Sequence, residues 1–261
     1  MKYALFHVSL PFLTCVALAN TRLFDNVMVD LSYEHYAEQV VDCLPAFLAM
    51  PFNSLVNVGY IVTGLHWLLR RDSSVETKDS RYVRQVFALM AVFYAPVQWA
   101  RLATMRRAPA VLDQWFTLPI FAWVPVWCRF IEAGAVWRPS WAAAVQLCSA
   151  LSYGLALLHA RGFEAALAGH VALAVYTGVR AQRRYGGGDP RSRRHLLLAL
   201  AACAGFVALK LLDHRLARWS VVFRYLTGHF WSKVCDVLQI HFSFCLLTRL
   251  TERAQARKKA G

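Results

Sequence analysis

The chain has 261 residues, of which 58% are apolar and 17% charged, against about a quarter charged in soluble domains. Its 29 basic residues outnumber 15 acidic ones, an excess that in a soluble protein would suggest a nucleic-acid partner. Here the apolar residues fall in runs of bilayer-spanning length with the basic residues between them, which excludes a soluble domain and argues against nucleic acid.

Eight apolar stretches stand out: 4–20, 48–69, 85–104, 111–130, 141–160, 165–182, 196–217 and 229–250. The expected fold is an all-α polytopic membrane helix bundle. It comprises an N-terminal hydrophobic segment (1–20), an outer loop (21–47), a seven-helix membrane core (48–250) and a basic tail (251–261).

The first segment has two readings. Lys2, the apolar run Ala4–Ala19 and the triplet Ala17-Leu18-Ala19 fit a signal peptide cleaved before Asn20. Retained, the segment is an extra helix, the reading preferred here. Either way residues 21–47 lie on the outer or lumenal face.

Span 48–69 contains Asn53, Ser54 and Asn57, with the asparagines four apart and so on one helical face. Interhelical hydrogen bonding is the plain explanation of such residues. Span 85–104 carries Pro96, Gln98 and Arg101, and span 111–130 opens on Asp113 and Gln114. Asp113 could sit among headgroups or pair with Arg106 or Arg107. In the next two spans the polar content is Gln146, Ser149, Ser152 and His170, the histidine reading as hydrogen-bonded packing. The stretch "RRYGGGDPRSRRH" at 183–195 lacks the spacing of a phosphate-binding P-loop and reads as a flexible loop, open to unspecific contact with anionic headgroups.

The last two spans hold most of the ionisable residues. One has Lys210, Asp213 and His214; the other has His229, Lys233, Asp236, Gln239 and His241. Lys210–Asp213 and Lys233–Asp236 read as self-neutralising pairs, or as parts of a site. Asn53, Asn57, Gln98, Lys210, Asp213 and His214 form the expected intramembrane polar cluster. Trp67, Trp137, Trp219 and Trp231 lie near span ends, as an interfacial aromatic belt requires.

Basic residues are distributed unevenly. Eighteen fall in the loops 70–84, 129–138 and 180–195 and in the tail, and eight fall on the opposite side, among them Arg101, Arg106 and Arg107. That bias puts the C-terminus in the cytosol. The seven cysteines show no disulfide or zinc-ribbon spacing, and only Cys43 lies clearly in an outer loop.

The blocks "YEHYAE", "LPAFLAMPFNSLVN", "VLDQWFTLPIFAW" and "LTGHFWSKVCDVLQ" closely resemble the transmembrane protein 187 family over nearly the whole chain. That resemblance implies a multi-pass membrane protein and, by analogy, Golgi or other secretory-pathway membranes, with the plasma membrane as the next alternative. A fainter similarity is to the seven-helix hydrolase superfamily of alkaline ceramidases and progestin and adipoQ receptors, in which three histidines hold zinc. It sets "NSLVN" on that superfamily's first polar block, Asp113 on its aspartate, His229 on the first ligand of the last helix and Lys233 on the second.

No histidine stands between His66 and His159, so a further ligand is missing. A protonated lysine cannot ligate, and a catalytic zinc wants three protein ligands with an open position for water. No cofactor or metal is therefore expected, and no residue is assigned a catalytic role outright. The candidates are Asp113, His229, Lys233 and Asp236, with Lys233 expected to replace the lost cation by pairing with Asp113 or Asp236. The leading expectation is a non-catalytic lipid-binding, sorting or scaffold protein whose partners are membrane lipids. The alternative is a hydrolase of an amide- or ester-linked lipid. A transporter or receptor is a third reading, although the expected repeat symmetry of a transporter is not evident.

Overall fold

A computed structural model describes residues 1–32, 35–70 and 76–260, with side chains described to Lys258. Parts of three sequence readings lie outside the described residues: Tyr33 and Glu34 of "YEHYAE", Arg71 of the basic loop, and the side chain of Lys259 in the tail.

The chain runs up and down as helices α1 (Lys2–Ala19), α2 (Pro51–Leu55), α3 (Val58–Leu69), α4 (Lys78–Thr104), α5 (Arg107–Glu132), α6 (Pro139–Ser152), α7 (Leu155–Leu158), α8 (Gly162–Tyr185), α9 (Pro190–Trp219) and α10 (Gly228–Ala260). All eight expected stretches are largely helical, and among the described residues six helical segments, α6 and α7 taken as one, are long and apolar enough to cross a membrane. The two that fall short do so for different reasons. Stretch 48–69 is broken at Val56–Asn57 into the short α2 and the 12-residue α3, which spans only about 18 Å. Helix α5 is long enough, but Asp113, Gln114, two internal prolines and three tryptophans lower its hydropathy.

Helix α5 occupies the middle of the bundle, packed by α1, α4, α6, α8 and α10. Against it lies an aromatic core in which Trp67 stacks on Phe244 at 4.8 Å, and Phe87 meets the same ring at 4.5 Å. With no water in the hydrocarbon, each buried indole N–H needs a partner in the protein. Trp67 donates to His241 Nδ1 (3.3 Å), Trp99 to the Ser54 carbonyl (2.9 Å), Trp115 to that of Ala150 (3.0 Å), Trp123 to that of Val83 (3.0 Å) and Trp127 to Thr251 Oγ1 (3.0 Å). Trp67 is thus a core residue, contrary to its expected place in an interfacial belt, whereas Trp219 is 83% exposed. Gly64 lets α3 and α4 approach closely, since a Cβ there would lie 2.7 Å from the Ala88 carbonyl oxygen.

Helices α6, α8 and α9 form the perimeter and turn Leu147, Leu151, Leu173, Tyr176, Leu197 and Leu211 outward, where lipid chains would cover them. His170 bonds Ser149 Oγ at 2.9 Å, a packing role as expected. Helix α1 lies against the bundle through Ala4, Val8 and Phe12, the last ring meeting Phe93 and Phe116 edge-on.

One end of the bundle carries the basic loops. There the stretch read as a flexible loop is a short turn: Gly186 closes α8 and Asp189 caps α9, accepting from the amides of Arg191 and Ser192. Arg249 of α10 binds the same carboxylate and ties α9 to α10. The other end carries the 25–47 loop and the polar residues singled out above.

Candidate functional site

Three helices present polar side chains at the same spacing, i, i+4 and i+7, which is one face of a helix. On α2–α3 they are Asn53, Asn57 and Tyr60; on α4, Tyr94, Gln98 and Arg101; on α10, His229, Lys233 and Asp236. Helix α5 adds Asp113 and Thr117. Each of these side chains is buried.

The turn between α4 and α5 brings Arg101 to Asp113. Met105 ends α4 in the left-handed conformation (φ 46°) and α5 starts two residues later, so the last turn of α4 lies beside the first two turns of α5. Arg101 Nη1 and Gln98 Nε2 donate to the two oxygens of Asp113, and Tyr94 Oη adds a third bond at 2.9 Å. Asp113 is therefore paired with Arg101, not with Arg106 or Arg107; Arg107 instead donates to the Val27 carbonyl at 2.6 Å. Arg101, counted by sequence with the outward-facing charges, is 5% exposed and neutralised inside the bundle.

Asp236 accepts from Tyr60 Oη at 2.8 Å, and the Tyr60 and Tyr94 rings meet edge-on at 5.0 Å, linking the two carboxylates through aromatic contact. Lys233 Nζ reaches Asn57 Oδ1 at 3.3 Å, and Asn57 in turn donates to the Asn53 carbonyl across the helix break. Among the described residues no carboxylate lies within ion-pair distance of Lys233 or Lys210. The expected pairing of Lys233 with Asp113 or Asp236 is thus replaced by an amide contact, although its charge acts on both carboxylates at longer range. The expected Lys210–Asp213 pair is likewise absent: Lys210 lies over the Phe206 ring at 6.0 Å. Asp213 instead accepts from the amides of His229 (3.0 Å) and Ala37 (3.3 Å), capping α10 and holding the outer loop. His214 faces outward and does not join the cluster.

The outer loop covers this end of the cluster. Tyr36 is buried, with its ring 4.6 Å from that of His229 and with Arg101 and Lys233 at 5.7 and 5.9 Å from its centre. Glu38 caps α2, accepting from the amides of Phe52 and Asn53 and from Asn53 Nδ2 at 2.7–2.9 Å. Burial raises the Glu38 carboxyl above its ordinary value, with these donors and Lys233 pulling against it. Burial, with the charges of Arg101 and Lys210 adding to it, lowers His35 to about 4, although Asp30 stands 3.5 Å away. Sequence reasoning missed Tyr36, Glu38, Tyr60 and Tyr94. The signal for the last two was available, since each completes an i, i+4, i+7 stripe; nothing local marks Tyr36 or Glu38.

The residues present do not fit a hydrolytic zinc. At the positions implied by the superfamily resemblance stand one imidazole, an ammonium group and a carboxylate already engaged by three donors. Among the described residues no three His, Cys, Asp or Glu side chains are grouped to hold a metal.

The model of the TMEM187 protein family matches residues 4–248. The chain belongs to that family. It is 50% identical to human (Homo sapiens) transmembrane protein 187 over 258 residues, covering 99% of this chain and 96% of the human protein. Transmembrane protein 187 of Bos taurus is 51% identical over 251 residues, covering 95% and 96%. No solved structure matches the chain. Family membership agrees with a multi-pass membrane protein, and the four sequence blocks supply most of the cluster: Tyr36 and Glu38, Asn53 and Asn57, Asp113, and His229, Lys233 and Asp236.

Proposed function

We propose that the protein is a non-catalytic membrane scaffold or sorting protein, embedded through seven core helices and α1, with lipids around α6, α8 and α9. Its polar cluster acts as an internal clasp rather than an active site. Asp113 carries this reading: a general base or nucleophile needs a free oxygen facing a substrate, and both oxygens of Asp113 are engaged by Arg101, Gln98 and Tyr94. By analogy with the family reading, its place is in Golgi or other secretory-pathway membranes, and the charge bias favours a cytosolic C-terminus.

The alternative is hydrolysis of an amide- or ester-linked lipid. Its support is narrower: among the described residues Lys233 has one hydrogen-bond acceptor for three donors, and Asp236 has Tyr60 as its one donor. Purified protein incubated with ceramides and lysophospholipids separates the two readings. The clasp predicts no turnover above background; turnover lost in Asp236→Asn would establish the hydrolase instead.

A further inference from the structure

At the basic end, two arginines from successive turns of α10 meet the turn between α8 and α9. Arg253 Nε donates to the Tyr185 carbonyl at 3.1 Å, and Arg257 Nη1 donates to that of Arg184 at 3.0 Å. The carbonyl end of α8 thus holds one nitrogen of each guanidinium, as a helix C-terminus favours cations. Their Nη2 nitrogens converge. A Cβ built on Gly187 would lie 2.7 Å from Arg253 Nη2 and 3.1 Å from Arg257 Nη2, so the two nitrogens are at most 5.8 Å apart.

Two guanidinium groups so close repel one another unless an anion lies between them. Among the described residues neither has a carboxylate within 4.0 Å: Asp189 is taken by Arg249, and Glu132 by Arg180 and Arg129. Arg183, Arg184, Arg191 and Arg194, exposed around the same turn, add further positive charge. Gly187 and Gly188 have φ of +50° and +76°, and their amides donate to no described group. Successive free amides in such a turn favour anions. Helix α10 is about 50 Å long against about 30 Å of hydrocarbon, so its last turns reach the headgroup layer.

We infer that Arg253, Arg257 and the Gly187–Gly188 turn form a binding site for a phosphate monoester. Two converging guanidinium Nη2 groups, each with further N–H donors, suit the several oxygens of a terminal phosphate better than the single charge of a phosphodiester. That chemistry comes either from a phosphorylated lipid headgroup or from a soluble phosphate ester.

The test uses the full chain in phosphatidylcholine nanodiscs doped with phosphatidylinositol 4-phosphate or, for comparison, phosphatidylserine, with bound lipid read by native mass spectrometry. Phosphatidylinositol 4-phosphate should be retained over phosphatidylserine, and R253Q/R257Q should lose about tenfold in binding. R253K/R257K keeps the charge but not the fork, and should also lose most of the binding. Inositol 1,4-bisphosphate added in solution identifies the source: full competition points to a soluble ester, and weak competition to the lipid. Equal retention of phosphatidylserine, or wild-type binding by either double variant, overturns the site. If R253Q/R257Q does not fold, R257Q replaces it, since Arg257 is exposed and, among the described residues, touches the Arg184 carbonyl and the Tyr185 ring.

Discussion

Arg101, in the last turn of α4, is bound to Asp113, in the second turn of α5, and both are buried where the two helices meet. The pair is the only ion pair within the polar cluster among the described residues, and it organises the rest. Gln98 and Tyr94 share the Asp113 carboxylate, and the Tyr94 ring leads through Tyr60 to Asp236.

Lys233 plays a lesser part, through one bond of 3.3 Å to Asn57. Lys233→Met should therefore lower stability in detergent by about 1.5–3 kcal/mol, the range of one hydrogen bond to a charged group. Thermal unfolding of the variant checks this; a loss as large as that caused by removing Arg101 would mean that Lys233 is the clasp's principal cation.

Tyr60 is the only hydrogen-bond donor to Asp236 among the described residues. Tyr60→Phe removes one oxygen and leaves the ring packing intact, so the expected cost is about 1.5–3 kcal/mol. An unfolding midpoint equal to wild type would show that Asp236 does not depend on this bond.

The outer loop should loosen on acidification. Burial lowers His35 to about 4 in the folded chain, below its ordinary value of about 6.5, so between those values the unfolded chain binds more protons and stability falls as pH drops. The groups acting on it are Asp30, Arg101, Lys210 and Asp113, with the His229 ring at 5.8 Å. Glu38 acts in the opposite sense: burial raises its pKa, so its protonation favours the folded state as pH falls. Protection factors for amide exchange at residues 35–39, corrected for the intrinsic pH dependence of exchange, should fall from pH 6.5 toward 5, and His35→Gln should remove that fall; identical pH profiles for the two proteins would contradict the assignment.

Helix α1 should remain in the mature protein. Ala4 and Val8 are buried against the bundle, His7 Nδ1 lies 2.6 Å from Tyr82 Oη, and Ala19, at the expected cleavage point, is 5% exposed in helical conformation. N-terminal sequencing should find the chain beginning at Met1 or Lys2. A mature terminus at Asn20 would mean that the packing of α1 is lost in the working protein.

The helical class and the eight stretches were legible because hydrocarbon demands continuous apolar runs, and those runs are visible without any long-range information. Asn53, Asn57, Gln98, Asp113, Lys233 and Asp236 were legible as ionisable or polar residues in apolar surroundings. Their partners were not. Local spacing suggested Lys233–Asp236 and Lys210–Asp213, three apart on one helix, whereas the contacts made are Tyr60–Asp236 and Asp213–His229, separated by 176 and 16 residues. The lysine looked like the natural substitute for a metal, but the tight turn at Met105 brings Arg101 to Asp113 first. The tyrosines escaped notice because an aromatic residue in a membrane span reads as packing until its hydroxyl is seen beside a carboxylate.

The clasp is tested most directly by a double-mutant cycle on Arg101 and Asp113 in purified full-length protein. Arg101→Met and Asp113→Leu should each cost about 3–5 kcal/mol, because each leaves a buried charge alone, while the double variant should recover most of that loss. Additive losses, or single variants as stable as wild type, would contradict the claim that this pair holds the polar end of the bundle together.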